Sequence, residues 1–106
     1  MPGPMTLQQQ FESGVSYHQA GRLAEAERIY HEVLAQQPDH AEALHLLAVL
    51  VAQAGRLDAA VELMRRVVRL KPDFADAHNN LGNALRILGQ IDEAIAACRQ
   101  AIRLKP

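Results

Sequence analysis

The segment Ala54-Gly55-Arg56-Leu57 separates two apolar stripes, and the chain is best read outward from it. Upstream, Leu44, Leu47, Ala48 and Val51 fall at i, i+3, i+4 and i+7, the spacing of one helical face. Downstream, Ala60, Met64, Val67 and Val68 make a second stripe of the same kind. Gly55 is expected to end the first helix, because glycine takes the left-handed conformation after a helix without steric cost. Pro72 is expected to end the second, because it cannot continue the hydrogen-bond ladder. The segment then recurs. Ala20-Gly21-Arg22-Leu23 lies 34 residues before it and Leu88-Gly89-Gln90-Ile91 lies 34 after. Pro38, Pro72 and Pro106 keep that step, as do Ala26, Ala60 and Ala94. A fixed period with two stripes per period describes a stack of helical hairpins.

Small residues stand where the helices of each hairpin must approach. Gly14, Ala48 and Gly82 occupy one such position, and Ala26, Ala60 and Ala94 the other. Asp39 with Glu42, and Asp73 with Asp76, are expected to cap the first helices of the second and third hairpins, as carboxylate relatives of the capping box.

The bulk composition agrees. The chain has 106 residues, 49% of them apolar, which suffices for one domain and not for two. Its aromatic residues are Phe11, Tyr17, Tyr30 and Phe74, so the core must be aliphatic, as close-packed helices allow. A net charge of -1 lacks the basic footprint of a nucleic-acid binder. No apolar run approaches the roughly 18 residues of a membrane span, and the opening Met-Pro-Gly-Pro-Met-Thr is unlike a secretory signal. A single cysteine, Cys98, fits a reducing compartment, and a cytoplasmic location is the expectation.

With its Leu81-Gly82, Ala94 and Pro106, and with Leu47-Ala48, Ala60 and Pro72 one period earlier, the chain resembles the tetratricopeptide repeat family. The first repeat is looser. Ser13-Gly14 replaces Leu-Gly, and the family's early Trp is replaced throughout by Gln10, Leu44 and His78. The resemblance implies an all-α fold of three hairpins, six helices stacked as a right-handed superhelix without a C-terminal capping helix. The expected boundaries are 1–6 for a disordered or tag-like N-terminus, then 7–40, 41–74 and 75–106 for the three repeats. It also implies a non-catalytic scaffold that binds a protein or peptide on its concave face. A narrower similarity, carried by His78-Asn79-Asn80-Leu81-Gly82-Asn83-Ala84-Leu85 and by His18-Gln19-Ala20-Gly21-Arg22-Leu23, is to the repeats preceding O-linked N-acetylglucosamine transferase domains. It implies an alternative role, substrate docking for a glycosyltransferase whose catalytic domain is absent.

In the family, the first helix of each hairpin lines the concave face. The residues left for that face by the apolar stripes are Glu42, His45, Val49 and Gln53 in the second repeat. In the third they are Asp76, Asn79, Asn80, Asn83 and Arg86, and in the first Gln8, Glu12, Val15 and Gln19. Asn79, Asn80 and Asn83 form the sharpest candidate, because an amide offers donors and an acceptor to a peptide backbone. Asn80 falls where the transferase-like relatives place a peptide-holding asparagine, but Glu12 and Leu46 stand at that place in the other repeats, so no ladder of amides runs along the chain. Some family members grip a C-terminal carboxylate with cations. Phe11, Asp76 and Asn80 occupy the matching places, which argues against such a clamp. Glu12, Glu42 and Asp76 outweigh Arg86 and favour a neutral or basic peptide.

Five histidines invite a metal reading. His40 and His45 are five apart and share no face, and His45 and His78 would lack a third donor, so no metal or other cofactor is expected. Cys98 continues the stripe of Ala94, Ala101 and Ile102 and reads as a small hydrophobe. The cluster Arg65, Arg66, Arg69 and Lys71 reads as a solvated outer face. The last helix keeps Ile95, Ile102 and Leu104, apolar residues that a further repeat would cover. They predict a homo-oligomer, with chains stacked end to end or exchanging helices, and a self-assembling repeat fragment is the third functional reading.

Overall fold

A computed structural model describes residues 3–106. Among the described residues there are six α-helices and no strand. They are α1 (Leu7–Gln19), α2 (Leu23–Gln36), α3 (Ala41–Gln53), α4 (Leu57–Leu70), α5 (Ala75–Ile87) and α6 (Ile91–Leu104). The helices pair as α1–α2, α3–α4 and α5–α6, and each hairpin packs on the next through α2–α3 and α4–α5.

Each hairpin turns through the same device. Gly21, Gly55 and Gly89 have φ of 77°, 82° and 83°. In the middle turn, Gly55 N–H donates to the Ala52 carbonyl at 3.0 Å and Arg56 N–H to the Val51 carbonyl at 2.9 Å. This is the paired Schellman pattern, which satisfies carbonyls that the end of α3 would otherwise strand. The other two turns repeat it, with Arg22 donating to Tyr17 and Gln90 to Leu85, both at 2.9 Å.

The starts of the first helices depart from expectation. Pro38-Asp39 and Pro72-Asp73 form turns, so each helix begins one residue later than a cap at Asp39 or Asp73 requires. His40 is the N-cap of α3, and its Nδ1 accepts from the Ala43 N–H at 3.1 Å. Phe74 precedes α5 and contributes no side-chain cap. The capping box lies instead at α1. Thr6 Oγ1 accepts from Gln9 N–H at 3.1 Å, and Gln9 Oε1 accepts from Thr6 N–H at 2.9 Å. Thr6 therefore belongs to the fold, although it falls in the 1–6 segment expected to stand outside it. Residues 1 and 2 of that segment lie outside the described residues.

The core is layered rather than central. Helix α3 works as a wedge. Its Ala43, Leu47 and Leu50 pack back against Phe11, Ile29, Tyr30 and Val33, while its Leu44 and Ala48 pack forward against Met64, Val67, Leu81 and Leu85. Gly14 and Gly82 permit the close approach inside the outer hairpins. A Cβ at Gly14 would stand 2.9 Å from Tyr30 Cε1, and one at Gly82 would stand 2.4 Å from Cys98 Sγ. Stacking in a row makes the molecule long, 54 × 25 × 22 Å, with a Cα radius of gyration of 14.5 Å. A compact chain of this size would have about 13 Å.

Candidate peptide-binding face

The first helices carry the nine candidate residues, and the geometry divides them. Val49, Gln53, Asn80 and Asn83 meet around one cleft of about 290 Å³ between α3 and α5. Its floor comes from α4, where Leu57, Ala60 and Met64 look up between the first helices, and Ala52, Ala84 and Ile87 complete its walls. The cleft is therefore apolar inside, with amides at its rim. Its volume is at the small end of ligand pockets, about the size that takes one or two side chains rather than a whole ligand.

The other five lie elsewhere. Glu42 borders a polar hollow with Gln8, His40 and Lys71 at the start of α3. Asp76 and Asn79 border a shallow one beside α6, where Lys105 Nζ stands 3.7 Å from Asp76 Oδ1. Arg86 faces away toward α6. His45 sits half-buried on the Phe74 ring, 4.6 Å between centroids. Asn79 and Asn83 are exposed, but Asn80 is half-buried and already bonded: its Nδ2 donates to His45 Nε2 at 3.1 Å. Asn80 thus turns one donor inward, which the sequence-based reading of Asn79, Asn80 and Asn83 as one candidate site did not anticipate. Burial lowers the His45 pKa, with the nearby Asp76 carboxylate partly opposing it, so the ring stays neutral and able to accept.

A second polar bridge joins the first two hairpins on the same face. Tyr30 O–H donates to His18 Nδ1 at 3.1 Å, and His18 Nε2–H donates to Gln53 Oε1 at 3.1 Å. Burial pushes the Tyr30 hydroxyl up to about 12, which keeps its proton in place. Gln53 is thereby positioned at the cleft rim by a chain that begins in α2. The remaining imidazoles are committed too: His78 Nε2–H donates to the Pro72 carbonyl at 2.8 Å, and His31 lies 3.6 Å from Glu27. Among the described residues no three His, Cys, Asp or Glu side chains converge as metal ligands, and no helix is long and apolar enough to cross a membrane.

Ala52, Leu57, Met64 and Ile87 are cleft residues that the sequence-based reading missed. Ile87 and Ala52 had a usable signal, since they follow Asn83 and Val49 by four and three residues and so share their helix face. Leu57 and Met64 had none, because their stripe is indistinguishable from core.

Comparison with known proteins agrees with the fold. A tetratricopeptide repeat family model matches residues 17–81, and a second one matches 75–106. The chain belongs to the tetratricopeptide repeat family. Among solved structures it is similar to a mutant of the Thermobaculum terrenum O-GlcNAc transferase, at 35% identity and a TM-score of 0.89. That match covers 94% of this chain and 19% of the other. It is also similar to MamA 41-end from Desulfovibrio magneticus RS-1, at 23% identity and a TM-score of 0.88, over 95% of this chain and 57% of that one. The second likeness is one of fold. This chain thus spans about a fifth of the matched transferase chain and under three-fifths of the matched MamA chain. No match is found among the curated proteins.

Proposed function

We propose that this chain is a protein-interaction module that holds a partner segment along α3 and α5, with one apolar side chain of the partner seated in the cleft between them. The observation that carries this reading is the cleft itself. Its floor of Ala60 and Met64 is apolar, and Gln53 and Asn83 stand at the rim where a passing backbone would run. Burial of the partner's side chain supplies affinity, and the amides supply directional bonds that any backbone can accept. Glu42 and Asp76 stand in the first turns of α3 and α5 and favour a neutral or basic segment. A peptide array of overlapping and randomised segments, followed by titration of the best binders, tests the reading. Ligands with a recurrent apolar anchor are expected, weakened about tenfold or more when Ile87→Glu puts a charge on the exposed apolar wall or Asn83→Ala removes the rim amide. An array without binders, or binders indifferent to both substitutions, would overturn it.

The second reading is substrate docking ahead of a transferase domain. The 35% identity over nearly the whole chain to the Thermobaculum terrenum O-GlcNAc transferase supports it. The inward commitment of Asn80 to His45 counts against an amide rung at that place. Joining this chain to such a catalytic domain should then change which peptides are glycosylated, and unchanged peptide choice would remove the reading.

A further inference from the structure

We propose that the side chain seated in the cleft between α3 and α5 is a tyrosine, and that phosphorylation of that tyrosine expels it. This rests on the reading of the cleft as a partner site and adds what the site selects. The cleft has a filled counterpart in the same chain. Shifted back by the 34-residue period, Ala52, Met64, Asn80 and Ala84 become His18, Tyr30, Leu46 and Leu50, and each counterpart is larger. Between α1 and α3 the Tyr30 ring is fully buried, and its hydroxyl meets the His18 imidazole at 3.1 Å. His18 in turn reaches Gln53 on α3. One gap between first helices is thus filled by a phenol and an imidazole of the chain itself. The next gap carries smaller residues and stays open, and an aromatic ring is the body it lacks.

The rim adds a polar requirement. Asn80 is half-buried and spends one amide hydrogen on His45. Among the described residues, its Oδ1 accepts no hydrogen bond, and Gln53, whose Oε1 accepts from His18, donates none through its amide nitrogen. An aliphatic or phenyl group over the cleft would strip water from Asn80 Oδ1 and offer it no donor, which is costly for a buried acceptor. A phenol O–H donates to that oxygen, and its own lone pairs accept from Gln53 Nε2. A ring on this floor also meets the Met64 thioether, a favourable contact for an aromatic group. An indole is bulkier and donates but cannot accept. Charge completes the selection. Among the described residues that line the cleft there is no Lys, Arg or His. A phosphate on the tyrosine would bring about two negative charges to an apolar wall with no cation to meet them. Glu42 and Asp76 on the same two helices would repel it further.

The test titrates the whole chain with the N-acetyl amides of tyrosine, phenylalanine, leucine, tryptophan and phosphotyrosine, and follows the methyl signals of Met64 and Ile87. The tyrosine amide should give saturable shifts at both methyls. The phenylalanine, leucine and tryptophan amides should bind about fivefold more weakly or worse, and the phosphotyrosine amide should leave both methyls still. Asn80→Leu, which copies Leu46 of the preceding repeat, and Asn80→Ala, a smaller change, should each abolish the preference for tyrosine over phenylalanine, with circular dichroism confirming the fold. Equal or tighter binding of the leucine, phenylalanine or tryptophan amide at these methyls would overturn the tyrosine while leaving the cleft as a partner site. Binding of the phosphotyrosine amide, or a tyrosine preference kept by both Asn80 variants, would overturn the proposal too. So would silence of both methyls toward all five probes, and the cleft as a partner site would then stand or fall on the peptide array.

Discussion

Asn80 Nδ2 lies 3.1 Å from His45 Nε2 and joins two first helices across the concave face. The bond needs a neutral imidazole with its proton on Nδ1, because a protonated ring has no lone pair for the amide. His45 is held neutral by burial, with its pKa lowered from 6.5. A lowered folded pKa means that the unfolded chain binds more protons as pH falls through this range. The stabilising contribution is complete above pH 6.5 and is lost as pH drops through the folded pKa. Urea midpoints should therefore fall as pH drops below 6.5. His45→Gln, which cannot titrate, should flatten that part of the profile, and an unchanged slope would detach it from this bond.

Gly82→Ala sets its Cβ 2.4 Å from Cys98 Sγ and 3.2 Å from the Ala94 carbonyl. Helix propensity favours alanine by about 1 kcal/mol, but forcing α5 from α6 costs about 1–3 kcal/mol. Net destabilisation is expected in chemical denaturation. Cys98→Ala should relieve part of it in the double variant, since the sulfur is the nearer obstacle. Strict additivity of the two substitutions would refute this contact as the cause.

Gly55 presents the opposite case, with open space around it and a φ of 82°. L-alanine there should cost about 1–2 kcal/mol through backbone strain alone. D-alanine introduced by chemical synthesis should restore or exceed the original stability, because its preferred φ has the opposite sign. A loss of similar size for both stereoisomers would show that space and not conformation decides.

Arg56 Nη2 meets Glu27 Oε1 at 2.7 Å, linking α2 to the start of α4, and the Arg56 guanidinium holds the Glu27 carboxyl below its ordinary pKa of 4.5. Both side chains are substantially solvated. A double-mutant cycle with Glu27→Gln and Arg56→Gln should give a coupling of about 0.2–1 kcal/mol that shrinks in high salt. A larger coupling that resists salt would mark this pair as a true clamp between hairpins.

Much of the fold was legible because the 34-residue step repeats both breakers, Gly55 and Pro72, and both stripes. Agreement among local signals at the same register leaves few alternative folds. The caps were misplaced for a local reason. Asp39 and Asp73 have the right chemistry, but the prolines before them draw them into turns and pass the N-cap role to His40 and Phe74. The site was legible only as a face. Which of its residues converge depends on the gap between α3 and α5, and the floor of that gap, Met64 and Leu57, comes from a helix that reads as core. The half-buried state of Asn80 has the same origin: its partner His45 is 35 residues away, and only the stacking distance brings them together.

The central claim is that a partner lies along α3 and α5 over their shared cleft. Amide and methyl chemical-shift mapping of the labelled chain with a peptide selected from the array tests it most directly. The account predicts the largest shifts at Val49, Gln53, Asn83 and Ile87, with the Met64 methyl moving from below. Shifts gathered instead on the exposed faces of α2, α4 and α6, with those five residues silent, would contradict it.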